Sequence, residues 1–314
     1  MRLVRTQTIS VIRAGDPLYL GLLGWALARL SGLPLVVRVN GNNDKVYEAT
    51  GRPLMPRLFR TRQVEKKIEQ FVLAQADLVA APNQDNLNFA LANGAQAEHA
   101  TLFRYGNLIG KVHFSSPAER VKGRQLLQEL GSLDPKLILY VGRLEQVKLA
   151  DHVIRAFASL RSRGEKVSLL LVGDGSQRNG LSALAEELGV ASQVVFCGNR
   201  DQQWLAHVIA AADVALSPHT GRALAEVALG AIPIVAYDVD WQPELIKTGF
   251  SGELVPYGDW AAMADAAHCL LSDSTYARKL GEHARSLALE MMDPESLNRH
   301  EIQQYEALFV RVSR

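Results

Sequence analysis

The sequence has 314 residues, of which 48% are hydrophobic and 21% are charged, the composition of a globular protein long enough for two domains. The formal net charge of +1 generates no overall field that would attract nucleic acid, so we expect no nucleic-acid partner. The two cysteines, Cys197 and Cys269, are too few for a disulfide framework and lack metal-site spacing, which fits a reducing cytoplasm.

The first half of the chain predicts alternating strands and helices. Short apolar runs that favour strands are TISVIRA, PLVVRVN, ADLVAAPN and ATLFRYG. Helices are expected after Leu18, over residues 64–76 and over residues 84–93. The apolar run at residues 18–28 is too short to span a bilayer, so we interpret it as a packed helix. The first residues contain no continuous apolar core of signal-peptide length.

The second half repeats one pattern, in which a β-branched or Leu-rich run is followed by Gly or Pro and then by an amphipathic helix. The predicted strands are KLILYVG, KVSLLLVG, SQVVFCG, ADVALSP, AIPIVAYD and GELVP. Strands that are apolar throughout and alternate with helices indicate a parallel sheet that is covered on both faces. The sequence therefore predicts an α/β fold.

Three segments are expected along the chain. Residues 1–134 form a first α/β domain, residues 135–293 form a second, and residues 294–314 form a closing helix. A polar, partly helical stretch at residues 115–134 separates the two halves. The apolar contacts expected of the closing helix are Leu297, Ile302, Tyr305, Leu308 and Phe309.

Unusual residues of the second half lie where the predicted strands end. They are Gly142 and Arg143, Gly173 with Asp174 and Gly175, Gly198 with Asn199 and Arg200, and residues 217–221. Open α/β sheets bind ligands beyond the carboxyl ends of their strands, and helices that begin there offer N–H groups to anions. With the charges of Arg143 and Lys148, the pattern predicts an anionic, phosphate-containing ligand. The alternative is that these glycines only turn the chain.

A single carboxylate, Glu226, interrupts the small apolar stretch GRALAEVALG. Its neighbours Ala225, Val227, Ala228 and Leu229 predict a position that is at least partly buried. Since a buried acid needs a partner, Glu226 is a candidate binding residue. The alternative is a solvated position on the helix surface.

The second half resembles the C-terminal domain of group 1 (family four) glycosyltransferases, in the ordered motifs VGRLEQVKLADHVIRAF, LLVGDGSQ, VVFCGN, ADVALSP, GRALAEVALGAIPIVA and PELIKTGFSGELVPYGD. The first half resembles the same family in PLVVRVNG and ADLVAAPNQDNLNFALANGA. The resemblance implies a GT-B fold of two Rossmann-like domains. It also implies transfer of a sugar from a nucleotide sugar to a carbohydrate or lipid-linked acceptor, with retention at the anomeric carbon and without a metal or other cofactor.

The resemblance also implies roles for individual residues. Arg143 and Lys148 match the cations that hold the donor diphosphate and stabilise it as the leaving group. Glu226 matches the carboxylate that accepts hydrogen bonds from the ribose hydroxyls. The other residues expected to bind the donor are Gly142, Gly173, Gly221, Arg222, Ala223 and Leu224, with Asn199 and Arg200 beside the base.

Some positions depart from the family pattern. Pro218 stands where the first Glu of the E-x7-E motif contacts the transferred sugar, and Asn40 stands where relatives often have a His. We expect His219 and Asn40 to flank the sugar instead. Leu149 replaces the Gly that often follows the lysine. These departures leave open an alternative, a degenerate, non-catalytic nucleotide-sugar-binding relative that acts as a partner protein.

The first domain is expected to be shortened. Relatives begin with a strand, a Gly-rich loop and a helix before a segment that resembles TISVIRAGDP, whereas this chain starts almost at that segment. The first domain would then lack its initial β-α units and expose a sheet edge, which favours self-association.

A basic segment at residues 52–67 holds six Lys or Arg and one Glu, interleaved with apolar side chains. In relatives that glycosylate lipids, a basic amphipathic surface of this kind contacts anionic membrane. The sequence therefore predicts a cytoplasmic protein with peripheral contact at the inner membrane face. The alternative is a solvated helix flank.

Overall fold

The fold of the chain is given by a computed structural model, which describes residues 9–115, 120–131, 133–219 and 221–312. The chain divides into two compact units. One comprises Met1–Tyr105 together with Pro294–Arg314, and the other comprises Gly106–Asp293. All strand pairs within the two sheets are parallel, which confirms the predicted α/β class.

The first unit is built on a four-stranded sheet. Its elements up to residue 105 are β1 (Ile12–Ala14), α1 (Tyr19–Ser31), β2 (Leu35–Arg38), α2 (Asn43–Thr50), α3 (Pro56–Phe59), α4 (Arg62–Ala74), β3 (Leu78–Ala81), α5 (Gln84–Ala92) and β4 (Ala100–Leu102). The strands lie in the order β1-β2-β3-β4. Adjacent residues of β2 point to opposite faces, so Val36 and Val37 belong to different cores and both are fully buried.

The second unit is built on a six-stranded sheet. Its elements are α6 (Arg120–Gln128), β5 (Lys136–Val141), α7 (Ala150–Ser162), β6 (Val167–Val172), α8 (Arg178–Glu187), β7 (Val194–Gly198), α9 (Gln202–Ala211), β8 (Val214–Ser217), α10 (Arg222–Leu229), β9 (Ile234–Tyr237), α11 (Gln242–Leu245), β10 (Glu253–Val255), α12 (Trp260–Ser272) and α13 (Ser274–Met292). The strands lie in the order β10-β9-β8-β5-β6-β7.

Helices cover both faces of this second sheet. Side chains of α7, α8 and α12 form one buried core with the sheet, and side chains of α9, α10 and α13 form the other. Every residue of β6 is buried, which explains why its sequence, VSLLLV, is almost entirely apolar. The strand order reverses between β5 and β8, so a crevice is expected beyond their carboxyl ends.

All ten predicted strands are present, and each is shorter than the apolar run that predicted it. The helices predicted in the first half also form, at α1, α4 and α5. The side chains of Asn42, Thr61 and Asn83 accept hydrogen bonds from backbone N–H groups in the first turns of α2, α4 and α5. Within the described residues, no helix is both long and apolar enough to cross a membrane.

The boundary between the units differs from the expected one at residue 134. Residues 106–115 and α6 pack on the second unit, whose first residue is Gly106. Arg120 and Arg124 each pair with Asp213, at 2.5 and 3.0 Å, and the side chain of Leu127 is buried in the core of that unit. The polar surface of a helix does not reveal which domain its few apolar residues contact, so the sequence pattern does not indicate that this segment belongs to the second unit.

The closing helix, α14 (Pro294–Val312), belongs to the first unit. Leu308 is fully buried with Phe103 and β2 and β3 residues, and His300 Nε2 lies 2.9 Å from the hydroxyl of Thr101. Ile302 and Phe309, which were expected to make apolar contacts, are exposed. The contacting stripe is therefore narrower than the pattern predicted.

Candidate functional site

A cavity of about 350 Å³ lies at the carboxyl edge of the second sheet. It is bounded by the loops that follow β5, β6, β7 and β8, as expected where the strand order reverses. The predicted site residues that line it are Gly142, Arg143, Lys148, Gly173, Asn199, Arg200, His219, Gly221, Arg222, Ala223 and Glu226. The structure thus brings together residues that are more than 80 positions apart in the sequence, such as Gly142 and Glu226.

Two predicted residues do not line this cavity. Leu224, in the first turn of α10, is buried in a core of the second unit. Asn40 belongs to the first unit, where its side-chain amide donates to the carbonyl of Gly15 at 3.0 Å and accepts from the hydroxyl of Tyr105 at 2.6 Å. Asn40 is therefore held at the carboxyl end of β2 by the loop after β1 and the segment after β4.

Several residues that line the cavity were not predicted from the sequence. They are Tyr140, Val141, Val172, Gln202 and Leu205. Gln202 is the first residue of α9, two positions after the predicted Arg200, so its position near a strand end was a usable signal. Tyr140 lies inside an apolar strand and carried no signal of that kind.

Close backbone approach shapes the floor of the cavity. Gly173 has a φ of +133°, and a Cβ atom there would lie 2.0 Å from the carbonyl oxygen of Gly142. Only glycine fits this position. Leu149, directly after Lys148, adopts a φ of +52°, a left-handed conformation that is unusual for a residue with a side chain. This geometry explains why a glycine suits the position after the lysine.

Lys148 and His219 meet on one wall of the cavity. The Nζ atom of Lys148 lies 3.2 Å from Nδ1 of His219, so the ammonium donates to this ring nitrogen. Burial lowers the pKa of Lys148, and the nearby charge of Arg143 lowers it further, while Asp240 acts in the opposite direction. This wall is therefore a cationic surface that an anion would stabilise.

Glu226 lies one helical turn after Arg222 on α10. Nε of Arg222 lies 2.8 Å from Oε1 of Glu226, and the two side chains are 51% and 3% exposed. The distance is that of an ion pair, but the N–H group does not point at the oxygen, and Oε1 has no aligned hydrogen bond. Glu226 is the single carboxylate among the described residues that line the cavity. It is thus a buried acceptor with unused hydrogen-bonding capacity.

His113 and Gln202 form a hydrogen-bonded pair near Glu226. His113 is buried, and its Nε2 atom lies 2.9 Å from the amide oxygen of Gln202, which can only accept. Burial lowers the pKa of His113, Glu226 acts to raise it, and Arg222 acts to lower it again. The imidazole is therefore held in its neutral form beside the charged pair.

Arg200 borders the opposite side of the cavity. Its Nε atom donates to the carbonyl of Cys197 at 2.9 Å, and its guanidinium lies 4.8 Å from the ring centre of Trp204. These contacts hold the side chain in one orientation. Burial raises the pKa of the Cys197 thiol to about 11, so this cysteine is not a nucleophile at neutral pH.

Within the described residues, no group of three or more His, Cys, Asp or Glu side chains could hold a metal ion. The cavity instead presents the basic side chains of Arg143, Lys148, Arg200 and Arg222. A cavity with these side chains can bind a polyanion and, through Glu226, a group that donates hydrogen bonds.

The chain is similar to known glycosyltransferases. A model of the family "Glycosyl transferases group 1" matches residues 124–287, more than half of the chain. The N-acetyl-alpha-D-glucosaminyl L-malate synthase of Bacillus anthracis is 31% identical over 195 residues, 60% of this chain and 49% of that protein. The alpha-D-kanosaminyltransferase of Streptomyces kanamyceticus is 26% identical over 84% of this chain and 68% of its own length. The chain thus spans between half and two thirds of these curated relatives.

Solved structures have the same fold. Anabaena HepE, crystallised in complex with UDP, superposes with a TM-score of 0.82 at 20% identity, covering 98% of this chain and 81% of that one. Sucrose-phosphate synthase from Thermosynechococcus elongatus superposes with a TM-score of 0.81 at 21% identity, covering 99% and 76%. Together, the family match, the two parallel sheets and these likenesses establish that the chain belongs to the group 1 glycosyltransferases and has the GT-B type of fold.

Proposed function

We propose that the protein transfers a sugar from a nucleoside diphosphate sugar to a carbohydrate or lipid-linked acceptor, with retention at the anomeric carbon. The observation that carries this proposal is the cavity that Arg143, Lys148 and Glu226 share at the carboxyl edge of the second sheet. It combines two cations with one buried carboxylate. That is the combination that a diphosphate next to a ribose requires.

The cations account for both binding and chemistry in this proposal. Arg143 and Lys148 would neutralise the donor diphosphate, and backbone N–H groups at the start of α10, near Gly221 and Ala223, would face the same anion. When the bond to the sugar breaks, negative charge accumulates on the leaving diphosphate. Cations already held in place stabilise that charge without further reorganisation.

Glu226 would recognise the ribose. A carboxylate with two oxygens can accept hydrogen bonds from two adjacent hydroxyls, and the unused capacity of Oε1 suits this role. Asn199 and Arg200 would flank the base. HepE was crystallised with UDP, and that likeness makes UDP the first nucleotide to test.

Pro218, His219 and Asn40 are the residues that we assign to the surroundings of the transferred sugar. Pro218 has no side chain that could contact a sugar hydroxyl, and we assign that contact to His219, whose Nδ1 atom is occupied by Lys148. In a tautomer that accepts at Nδ1, His219 carries its proton on Nε2. Asn40 would contact the sugar or the acceptor through its amide group.

Calorimetric titration tests the donor site. UDP, GDP and ADP are titrated into the wild type, Glu226→Gln, and the control Glu187→Gln, which changes an exposed glutamate of the same unit. We expect one nucleotide to bind the wild type and the control equally, and to bind Glu226→Gln about 10- to 100-fold more weakly, because hydrogen bonds to a charged group are lost. Equal affinity for all three proteins would contradict the assignment of Glu226.

Turnover and stereochemistry need a second assay on the same samples. The matching nucleotide sugar is hydrolysed, and NMR identifies the anomer of the sugar that is released first. We expect this anomer to have the configuration of the donor. Inversion would overturn the retention proposal. If the protein binds a nucleotide but shows neither hydrolysis nor transfer to any acceptor in a screen, the alternative function is favoured, that of a non-catalytic nucleotide-sugar-binding protein.

We also propose that the first unit contacts anionic membrane. The exposed cations of the basic segment are Arg52, Arg57, Arg60 and Lys67, and the exposed side chains of Leu54 and Leu58 lie between them in the sequence. Arg62, which was counted with them, instead faces inward, 6% exposed, and pairs with Glu69 at 2.7 Å. The basic surface is thus smaller than the sequence suggested.

Vesicle sedimentation tests this contact. The double variant Arg57→Glu/Arg60→Glu is expected to lose binding to vesicles that contain phosphatidylglycerol, whereas Arg155→Glu, on an exposed position of α7, is expected to retain it. Wild-type protein that binds neutral phosphatidylcholine equally well, or no vesicle at all, would contradict the proposal.

Three further expectations stay predictions, namely self-association, cytoplasmic location and the shortened first domain. Light scattering checks the first of them.

A further inference from the structure

The ion pair between Arg222 and Glu226 goes beyond what the donor site requires. A nucleoside diphosphate would be neutralised by Arg143 and Lys148, and the ribose would be recognised by Glu226. Arg222 lies beside the carboxylate with its Nε atom 2.8 Å from Oε1. Its guanidinium also lines the cavity. The arrangement therefore needs an explanation of its own.

The burial of Glu226 gives one reason for a cation at this place. The carboxylate is 3% exposed and is surrounded by the apolar residues of α10. An uncompensated buried charge is strongly destabilising. Arg222 compensates this charge, and residue 226 can remain a carboxylate, which only accepts hydrogen bonds.

The alignment of the pair gives a second reason. Although the two atoms are at ion-pair distance, the N–H group of Arg222 does not point at Oε1, and no aligned hydrogen bond from the described part of the chain reaches that oxygen. The cation thus stabilises the carboxylate without using its acceptor sites. Glu226 also lines the cavity, so its carboxylate can accept hydrogen bonds from a ligand that binds there.

A third contact holds the guanidinium in place. Nη1 of Arg222 donates to the carbonyl of Leu108 at 3.2 Å. Leu108 lies just after Tyr105, in the segment with which the second unit begins. Arg222 is half-exposed, and without this anchor its long side chain would sample many rotamers. With it, the position of the cation relative to Glu226 is determined by the fold.

We propose that Arg222 is a positioning residue that holds Glu226 charged and oriented for the two adjacent hydroxyls of a ribose, and that the pair selects ribonucleotides over 2′-deoxyribonucleotides. The proposal rests on the proposed function, because it assumes that a nucleotide occupies the cavity. It concerns the ribose alone. Arg222 is not assigned to the diphosphate, which Arg143 and Lys148 bind.

Paired titrations separate this role from a general attraction of anions. Whichever of UDP, GDP and ADP binds the wild type most tightly is compared with its 2′-deoxy form in the wild type, Arg222→Leu, Arg222→Lys and Arg143→Leu. The wild type is expected to prefer the ribonucleotide by about tenfold or more, the loss of one hydrogen bond to a charged acceptor.

The variants should differ in the preference for the ribonucleotide over its 2′-deoxy form, and not only in the affinity for either. Arg222→Leu is expected to bring the ratio of the two dissociation constants close to one, and Arg222→Lys to restore part of it. Arg143→Leu is expected to weaken both nucleotides by the same factor and to leave the ratio unchanged, because it acts on the diphosphate. Thermal melting of each variant checks that it is folded, and Arg222→Gln serves as a second variant if Arg222→Leu is not.

Each outcome decides the inference. An unchanged ratio in a folded Arg222→Leu or Arg222→Gln protein would overturn it, as would a ratio that falls equally in Arg143→Leu. A wild type that binds none of the three nucleotides would contradict the proposed function instead. The two proposals can therefore fail separately.

Discussion

At the scale of single residues, the positive charge of Lys148 beside Arg143 destabilises the fold of the ligand-free protein, and a bound anion would offset this effect. Burial lowers the pKa of Lys148, and Arg143 lowers it further. A lysine whose pKa is lower in the folded than in the unfolded chain destabilises the fold at every pH below its folded pKa. This destabilisation disappears as the pH rises from that value to the ordinary 10.5. At neutral pH it is fully present.

We therefore predict opposite effects of Lys148→Met on stability and on binding. The melting temperature of the ligand-free protein should rise by about 1–2 °C, a small change because solvent screens a half-buried charge. Affinity for the preferred nucleoside diphosphate should fall at least about tenfold. Calorimetry measures both. A lower melting temperature for the variant would show that the ammonium stabilises the empty protein.

His113 should make the second unit sensitive to acid. Burial lowers its pKa from the ordinary 6.5, so below this pH the unfolded chain takes up a proton that the folded chain does not. Stability is therefore expected to fall as the pH drops through 6.5 and to level off below the folded pKa. Glu226 opposes the shift and Arg222 adds to it.

Melting temperatures measured between about pH 7.5 and 5 check this prediction. His113→Gln should flatten the decline relative to the wild type, whatever its absolute stability. The control His99→Gln, on a half-buried position of the first unit, should leave the decline unchanged. Parallel curves for all three proteins would exclude His113 as the group responsible.

The candidate site was predictable at residues whose chemistry contrasts with their surroundings. Glu226 interrupts an apolar stretch, and Arg143 follows a glycine at a strand end, so both were visible in the sequence. His113 was not visible, because it lies 113 positions before Glu226 in the sequence, and only the fold brings it close enough for Glu226 to affect its pKa. The misaligned pair with Arg222 depends on side-chain geometry, which no spacing rule contains.

At the scale of elements, the strands were predictable because those inside the two sheets, such as β2, β3, β6 and β9, are buried at every position and are therefore almost entirely apolar. The packing partner of α6 was not. This helix is mostly polar, and its association with α9 depends on close approach at Gly123. A Cβ atom there would lie 2.0 Å from the carbonyl oxygen of His207.

Gly123→Ala should accordingly separate α6 from α9. We expect a loss of about 1–3 kcal/mol in the free energy of unfolding, the usual effect of overpacking. The control is Gly180→Ala on α8, where the nearest atom to a new Cβ is 3.9 Å away and alanine is expected to be neutral or slightly stabilising. Urea unfolding followed by circular dichroism measures both. Equal stability of Gly123→Ala and the wild type would mean that the two helices can shift apart without cost.

At the scale of the whole molecule, we predict that nucleotide binding does not depend on a divalent metal. The reason is that Arg143 and Lys148 supply the positive charge that a diphosphate needs. The preferred nucleotide should raise the melting temperature equally in EDTA and in excess Mg²⁺. Stabilisation that appears only with Mg²⁺ would contradict the prediction, and a titration of Mg²⁺ without nucleotide is the control.

The sequence by itself determined the α/β class, the ten strands, the family and most residues that line the cavity. It could do so because strands that are buried on both faces are apolar at nearly every position, and because ligand-binding residues of such sheets lie at strand ends. Only the tertiary structure decided where the second unit begins, that Arg62 turns inward, that Arg222 pairs with Glu226, and that His113 contacts Gln202. These features depend on contacts between residues far apart in the chain, and local pattern contains no information about which distant partner a polar side chain meets.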